Sequence, residues 1–138
     1  MIKAIVTDVD GVIVGKQVGN FPLPNDKVIR ALKQIHARGI PIMLCTAKFS
    51  FAVREIIKRA ELRGPHITDG GALIINPLNN EIIKSYFLDQ QLATQLVEAC
   101  LEKNIYLECV GIDDYLLQKN QINNFTEKRI AILQKNLS

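Results

Sequence analysis

Apolar residues fall along this chain in two alternating rhythms, short continuous runs and helical repeats. Ile2 to Thr7 is an apolar run that ends at Asp8, Asp10 and Gly11, the pattern of a buried strand whose C-terminal end opens into a loop. Pro24-Asn25-Asp26 carries helix-start chemistry, Val28, Ile29, Leu32 and Ile35 recur with helical spacing, and Gly39 stops the repeat. Ile40 to Cys45 is a second strand run reaching Thr46. Ser50 is placed to cap a second helix carrying Phe51, Val53, Ile56, Ile57 and Ala60 as far as Gly64. Strands joined by helical crossovers run parallel, so residues 1–65 predict an open α/β unit whose ligands sit outside the strand C-termini. Asp8 and Thr46 both lie at that edge.

Beyond residue 65 the texture changes. Ile67-Thr68 starts a third strand, and Ala72 to Ile75 and Glu81 to Ser85 flank the turn-rich Asn76-Pro77-Leu78-Asn79-Asn80, which predicts a hairpin. A helix over Asp89 to Lys103 is expected to bury Leu92, Ala93, Leu96, Val97 and Cys100. Strand candidates follow at Ile105 to Val110 and Tyr115 to Gln118, and Thr126 is placed to cap a last helix with Ile130 and Leu133 on one face. This second texture is α+β. A boundary near residues 82 to 86 divides the chain into an α/β core over 1–84 and an α+β segment over 85–138. There is no internal repeat and no low-complexity segment.

Length and composition narrow the class. The 138 residues suit one compact unit or two half-units, and an apolar fraction of 48% with 22% charged residues argues against disorder. The net charge of +3 comes from 17 basic and 14 acidic residues that are scattered without basic runs or aromatic interleaving, so no nucleic-acid partner is expected. No apolar stretch approaches the ~20 residues that span a bilayer, and the N-terminus enters a strand without a signal-peptide pattern. No membrane partner and a cytoplasmic location are the expectations. Cys45, Cys100 and Cys109 are odd in number and lack a C-x-x-C spacing, which predicts reduced, buried thiols.

Two aspartates one residue apart at a strand end divide labour if the backbone turns sharply, and Gly11 permits that turn. One carboxylate can attack phosphorus to form an aspartyl-phosphate while the other serves as general acid and then base. A hard divalent cation such as Mg2+ would neutralise the charge that repels the attacking anion. Asp8 and Asp10 are therefore the candidate pair, although a bare D-x-D also suits two solvated loop carboxylates.

The context favours the first reading. Asp8-Val9-Asp10-Gly11-Val12 resembles the first motif of the haloacid dehalogenase (HAD) superfamily, Leu44-Cys45-Thr46 fits the second, and Ile67-Thr68-Asp69-Gly70-Gly71-Ala72-Leu73-Ile74 looks like the segment leading into the lid of the Cof-type branch of sugar-phosphate phosphatases. The resemblance covers residues 3 to about 90 well and runs more loosely to about 118. It implies a partial Rossmannoid parallel sheet followed by a partial α+β cap. It also implies an Mg2+-dependent phosphatase of small phosphorylated metabolites, with Asp8 as nucleophile and metal ligand. Asp10 would be acid/base and would lend its backbone carbonyl to the metal, and Thr46 would bind the phosphoryl oxygens. The chain departs from the branch at Thr46-Ala47-Lys48, where Thr-Gly-Arg is usual, and at Gly70-Gly71-Ala72, where Asn-Gly-Ala is usual. The late lysine and the late acidic motif of the family do not follow, so the expectation is the first half of the core with part of the cap, weakly active or inactive alone. Its exposed sheet edge would favour a homo-oligomer. Two other readings stay open. One is a catalytically dead remnant serving as an interaction or self-associating module. The other is a compact lidless phosphatase in which Asp113 and Asp114, after the run to Val110, supply the late acidic motif, against the plain reading of turn carboxylates.

Several residues draw a plainer expectation. His36 beside the first helix's apolar stripe and His66 in a loop after Pro65 lack a second histidine at ligand spacing and read as structural or solvated. Cys45 points opposite to Thr46 and reads as a packed thiol. Lys48 is placed either to reach a phosphate or, as the plainer reading, to stand as a water-exposed lysine approaching a helix, and Gly70-Gly71 either cradles an anion or leads into the hairpin.

Overall fold

The computed structural model describes residues 2–15, 22–79, 81–112, 114–124, 126–128 and 130. In chain order it contains β1 (Ile5–Thr7), α1 (Asp26–Ala37), β2 (Ile42–Leu44), α2 (Ser50–Ala60), β3 (His66–Thr68), β4 (Leu73–Ile75), β5 (Ile82–Ser85), α3 (Gln90–Glu102), β6 (Glu108–Val110) and β7 (Tyr115–Leu117). These pack into two units, Met1–Tyr86 and Phe87–Ser138.

In the first unit β1 and β2 are parallel, with Ile5 opposite Ile42 and Thr7 opposite Leu44. A parallel bridge between Cys45 and Ile67 brings β3 alongside β2, and β3, β4 and β5 continue antiparallel. Two consecutive crossovers that step the same way across a sheet place both helices on one face. Alternation of side chains then decides the core. Ile42, Leu44, Leu73 and Ile75 join Ile29 and Leu32 of α1 and Val53, Ile56 and Ile57 of α2 in one buried cluster. Each such aliphatic side chain contributes roughly 1.5–3 kcal/mol on burial. Asn25 starts α1 by accepting the Val28 amide at 3.0 Å, and Gly39, at φ 80°, ends the turn that follows.

Among the described residues of the first unit, the opposite parity of the same strands has no helix over it. Val6 is 57% exposed, Cys45 is exposed, and Met43, Ile67 and Ile74 are half-buried. Among the described residues the outer edge of β1 pairs with no strand. Cys45 thus points away from Thr46 as expected, but it is exposed rather than a packed thiol. Cys100 and Cys109 are also only half-buried, so the expectation of three buried cysteines is corrected.

Other local expectations shift for identifiable reasons. Ser50 is the first residue of α2 rather than its cap, and the helix ends at Ala60 because Glu61 takes a left-handed conformation, φ 54°, before Gly64 is reached. His66 is not in a loop but opens β3, fully buried. Gly70-Gly71 lies in the tight 3-10 turn joining β3 to β4, with φ of 66° and 97° that side chains disfavour. The hairpin follows as expected, its turn closed by Asn76, whose amide donates to the Glu81 carbonyl at 2.8 Å and whose side chain accepts from Leu78 at 3.0 Å.

In the second unit Asp89 caps α3 by accepting the Leu92 amide at 2.9 Å. The apolar stripe of α3 is not buried: Leu92 and Leu96 are exposed, and Ala93, Val97 and Cys100 are half-buried. β6 and β7 form an antiparallel hairpin, with the Gly111 amide donating to the Asp114 carbonyl at 2.7 Å. Asp114 thus lies in the turn of this hairpin, in keeping with the plain reading of turn carboxylates; Asp113 lies outside the described residues. At the last helical turn Asn123, not Thr126, is the cap. The Asn123 side chain accepts the Thr126 amide at 3.2 Å, and the Thr126 hydroxyl accepts the Asn123 amide at 2.7 Å, a reciprocal box. Ile130 is half-buried, and Leu133 lies outside the described residues.

Candidate active site at the strand ends

The loop after β1 is built by two buried valines. Val9 and Val14 are 0% and 1% exposed, and the Val9 carbonyl accepts both the Ile13 amide at 3.1 Å and the Val14 amide at 2.9 Å. Gly11, at φ 76°, closes the loop by donating to the Val14 carbonyl at 2.8 Å. Asp10 and Gly11 are thereby held out to solvent between two anchored residues, which is how the backbone turns sharply between the two aspartates. Asp8 is exposed, and its Oδ1 accepts the Val9 amide at 2.6 Å, which fixes the carboxylate and leaves Oδ2 outside that bond.

Thr46 stands beside this loop. The Cys45 amide donates to the Thr7 carbonyl at 2.8 Å, so Asp8 and Thr46 emerge from adjacent parallel strands at the same sheet edge. Thr46 is 6% exposed. Its Oγ1 accepts the Lys48 amide at 3.3 Å, and the hydroxyl hydrogen is left to donate outward.

Lys48 is not a water-exposed lysine. Its side chain is only 11% exposed and its Nζ lies 3.1 Å from Asp10 Oδ2, while the Asp10 side chain is 58% exposed. A buried lysine stem with its ammonium on a strand-end carboxylate puts a cation at the edge where Asp8, Asp10 and Thr46 meet.

Asp69 was missed as part of this site. It sits at φ 56°, a left-handed conformation that aspartate tolerates better than most residues. Its Oδ2 accepts the Ser50 amide at 3.0 Å, capping α2, which has no cap of its own. Its amide donates to the Lys48 carbonyl at 2.8 Å, the Thr46 amide donates to the Ile67 carbonyl at 3.0 Å, and the Gly70 amide to the Thr46 carbonyl at 3.3 Å. Four hydrogen bonds thus lash the loop carrying Thr46 and Lys48 to the β3 end. Burial pushes the Asp69 carboxyl above its usual range, opposed by the Thr68 hydroxyl and the Ser50 amide. Its position between a strand-end threonine and two glycines is the only signal the sequence offers.

The two aspartates supply hard oxygen donors of the kind Mg2+ takes, and that ion is commonly held by one or two carboxylates with water and substrate phosphate completing the shell. Among the described residues no group of three acidic, histidine or cysteine side chains converges. The donors therefore fit the ion in kind, with Asp8 the freer of the two.

A family profile described as haloacid dehalogenase-like hydrolase matches residues 5–137. No curated protein sequence matches the chain. Solved structures do. BT1666 from Bacteroides thetaiotaomicron, described among phosphatases of the haloalkanoate (HAD) enzyme superfamily, is 20% identical with a TM-score of 0.73, over 97% of this chain and 47% of that one. The HAD subclass IIB sugar phosphatase BT4131 is 22% identical with a TM-score of 0.71, over 93% and 47%. A haloacid dehalogenase-like hydrolase from B. subtilis is 19% identical with a TM-score of 0.70, over 99% and 52%. The chain spans about half the length of these structures. With the Asp8-Val9-Asp10 loop, Thr46 and the β3–β4 turn at one sheet edge, and with the profile running nearly from end to end, this chain belongs to the haloacid dehalogenase-like hydrolases.

Proposed function

We propose that this sheet edge belongs to an Mg2+-dependent phosphatase of small phosphorylated metabolites, acting in the cytoplasm through an aspartyl-phosphate. The observation that carries the reading is the fixed Asp8 carboxylate, with Oδ1 held by the Val9 amide and Oδ2 outside that bond, beside the buried Thr46 hydroxyl. Asp8 Oδ2 attacks phosphorus, the ester P–O bond breaks, and the leaving oxygen takes a proton from Asp10. Asp10 then takes a proton from water, whose oxygen displaces Asp8 and releases phosphate. Thr46 donates to a phosphoryl oxygen, and Lys48 Nζ is near enough to Asp10 to meet another. Asp8, with Asp10, would hold Mg2+, which supplies charge neutralisation for attack by an anion.

A second reading is a remnant without turnover that persists as a self-associating module. Two observations among the described residues favour it: no third acidic group converges on the two aspartates, and the β1 edge is unpaired with Val6 exposed beside it. The unpaired edge and the exposed Val6 support a homo-oligomer under either reading. Purified chain with Mg2+ and a generic phosphate ester separates them. Turnover that vanishes in Asp8→Asn supports the phosphatase. Absence of turnover, with no thermal stabilisation by Mg2+, supports the remnant.

A further inference from the structure

The sheet edge opposite the candidate site carries a second feature that phosphoryl transfer does not use. A cavity of about 420 Å³ lies between the C-terminal half of α2 and the start of the β4–β5 hairpin, within the first unit. Its floor is apolar, formed by Ile57 and Leu62, which are 7% and 3% exposed, with Leu78 standing over it at 70% exposed. Its rim carries Arg54, Lys58 and Arg63. The acid on the rim, Glu61, already pairs with Lys33, and a smaller hollow of about 290 Å³ continues from it, lined by Lys33, His36 and Arg63 among others.

The charge arrangement is what calls for a ligand. Arg59 pairs with Asp26 and Lys48 with Asp10, yet Arg54, Lys58 and Arg63 have no ion pair or side-chain hydrogen bond among the described residues. Arg54 and Lys58 are four residues apart on α2, a like-charge spacing that disfavours the helix. Local arrangements that break a rule without a compensating partner are expected where function demands them. The negative end of the α2 dipole is nearby, and Lys58 and Arg59 in the last turn already offset it. A concave apolar floor with a few convergent polar groups, in the size range of small-molecule pockets, fits a ligand apolar at one end and anionic at the other. Two guanidinium groups are suited to forked binding of a carboxylate, sulfonate or phosphate.

We propose that this cavity is a binding site for a small anionic amphiphile, its apolar body on Ile57, Leu62 and Leu78 and its anionic head between Arg54 and Arg63. The site stands apart from the catalytic reading: Asp8 and Thr46 lie at the C-terminal ends of the parallel strands, and this cavity lies where the chain leaves α2 for the N-terminal end of β3.

The test is titration of the full chain with naphthalene-1-sulfonate, followed by amide shifts in 15N–1H NMR, beside the neutral 1-naphthalenemethanol. Saturable shifts centred on residues 54–63 and Leu78 are expected. Binding should weaken about tenfold in Arg54→Glu/Arg63→Glu, and the neutral compound should bind several-fold less tightly. If the double reversal unfolds the chain, Arg54→Gln/Arg63→Gln carries the same expectation. Shifts centred on Val6, Met43 and Ile67, equal binding of the neutral compound, unchanged affinity in the double variant, or binding of an acidic peptide without binding of the sulfonate would each overturn the proposal. Phosphatase turnover is not a readout, so absence of turnover leaves this test intact.

Discussion

Protonation of His66 should unlock the β2–β3 seam. The imidazole is 0% exposed, and its Nδ1 accepts the Leu44 amide at 3.0 Å, so Nδ1 must be bare and Nε2 must carry the hydrogen. A second proton would convert that acceptor into a donor facing an N–H, at a fully buried position. Burial accordingly lowers the His66 pKa from 6.5 to about 4. In the sign that follows, the unfolded chain binds the proton more readily than the native one. The neutral ring's contribution is complete above pH 6.5 and is lost as pH falls toward 4. The interval amounts to about 3 kcal/mol in all, of which about 2 kcal/mol is gone by pH 5. That is a large share of the stability of a small domain.

Two measurements check this. The His66 ring proton followed by NMR should titrate with a midpoint near pH 4, and urea unfolding at pH 7.5, 6 and 5 should show stability falling by about 2 kcal/mol over the series. Asp69 works in the opposite direction. Its carboxyl pKa is raised by burial, so its contribution grows as pH falls, and Asp69→Asn should make the wild-type acid loss steeper. His66→Asn, which keeps an acceptor but cannot titrate, should flatten the series. His66→Phe should cost about 1–3 kcal/mol at neutral pH by stranding the Leu44 amide. A His66 midpoint above pH 6, or identical pH series for wild type and His66→Asn, would refute the reasoning.

The remaining predictions rest on single contacts. Asp69→Ala should lower unfolding stability by about 1 kcal/mol through loss of the Ser50 cap, whereas Asp69→Asn should be near neutral at pH 7 because it retains an acceptor; chemical denaturation reads both. Asn25→Ala should cost a similar ~1 kcal/mol at the start of α1, measured the same way. Lys48→Met should change stability by less than about 1 kcal/mol, since Asp10 is largely exposed, yet weaken inhibition of any turnover by inorganic phosphate about tenfold. Val6→Glu should reduce the mass of any oligomer seen by light scattering toward that of the 15.5 kDa chain, and an unchanged mass would exclude the β1 side as the contact.

What the sequence disclosed and what it withheld divide along one physical line. Period, strand-end polarity and capping residues are local, so the order of elements, the parallel β1–β2 pair, the hairpin and the placement of Asp8 and Thr46 at one edge were all legible before any coordinates. Parity was legible too, because Cys45 and Thr46 must point to opposite faces. Whether a face is covered was not, since that depends on a layer the strands do not encode, and Cys45 is exposed rather than packed. The misread residues each depend on a partner far along the chain. Asp69 caps a helix 19 positions before it, and His66 accepts from an amide 22 positions back. Lys48 turns from a surface lysine into an ion-pair partner only once β1 and β2 are side by side. The same dependence bears on chemistry. Asp8 gains a fixed carboxylate from its own loop, but the setting of Thr46 and Lys48 is made by β3. A substitution at Asp69 should therefore disturb anion binding at the β2 end while leaving the Asp8 loop intact, and that separation follows from the topology before any reaction is assumed.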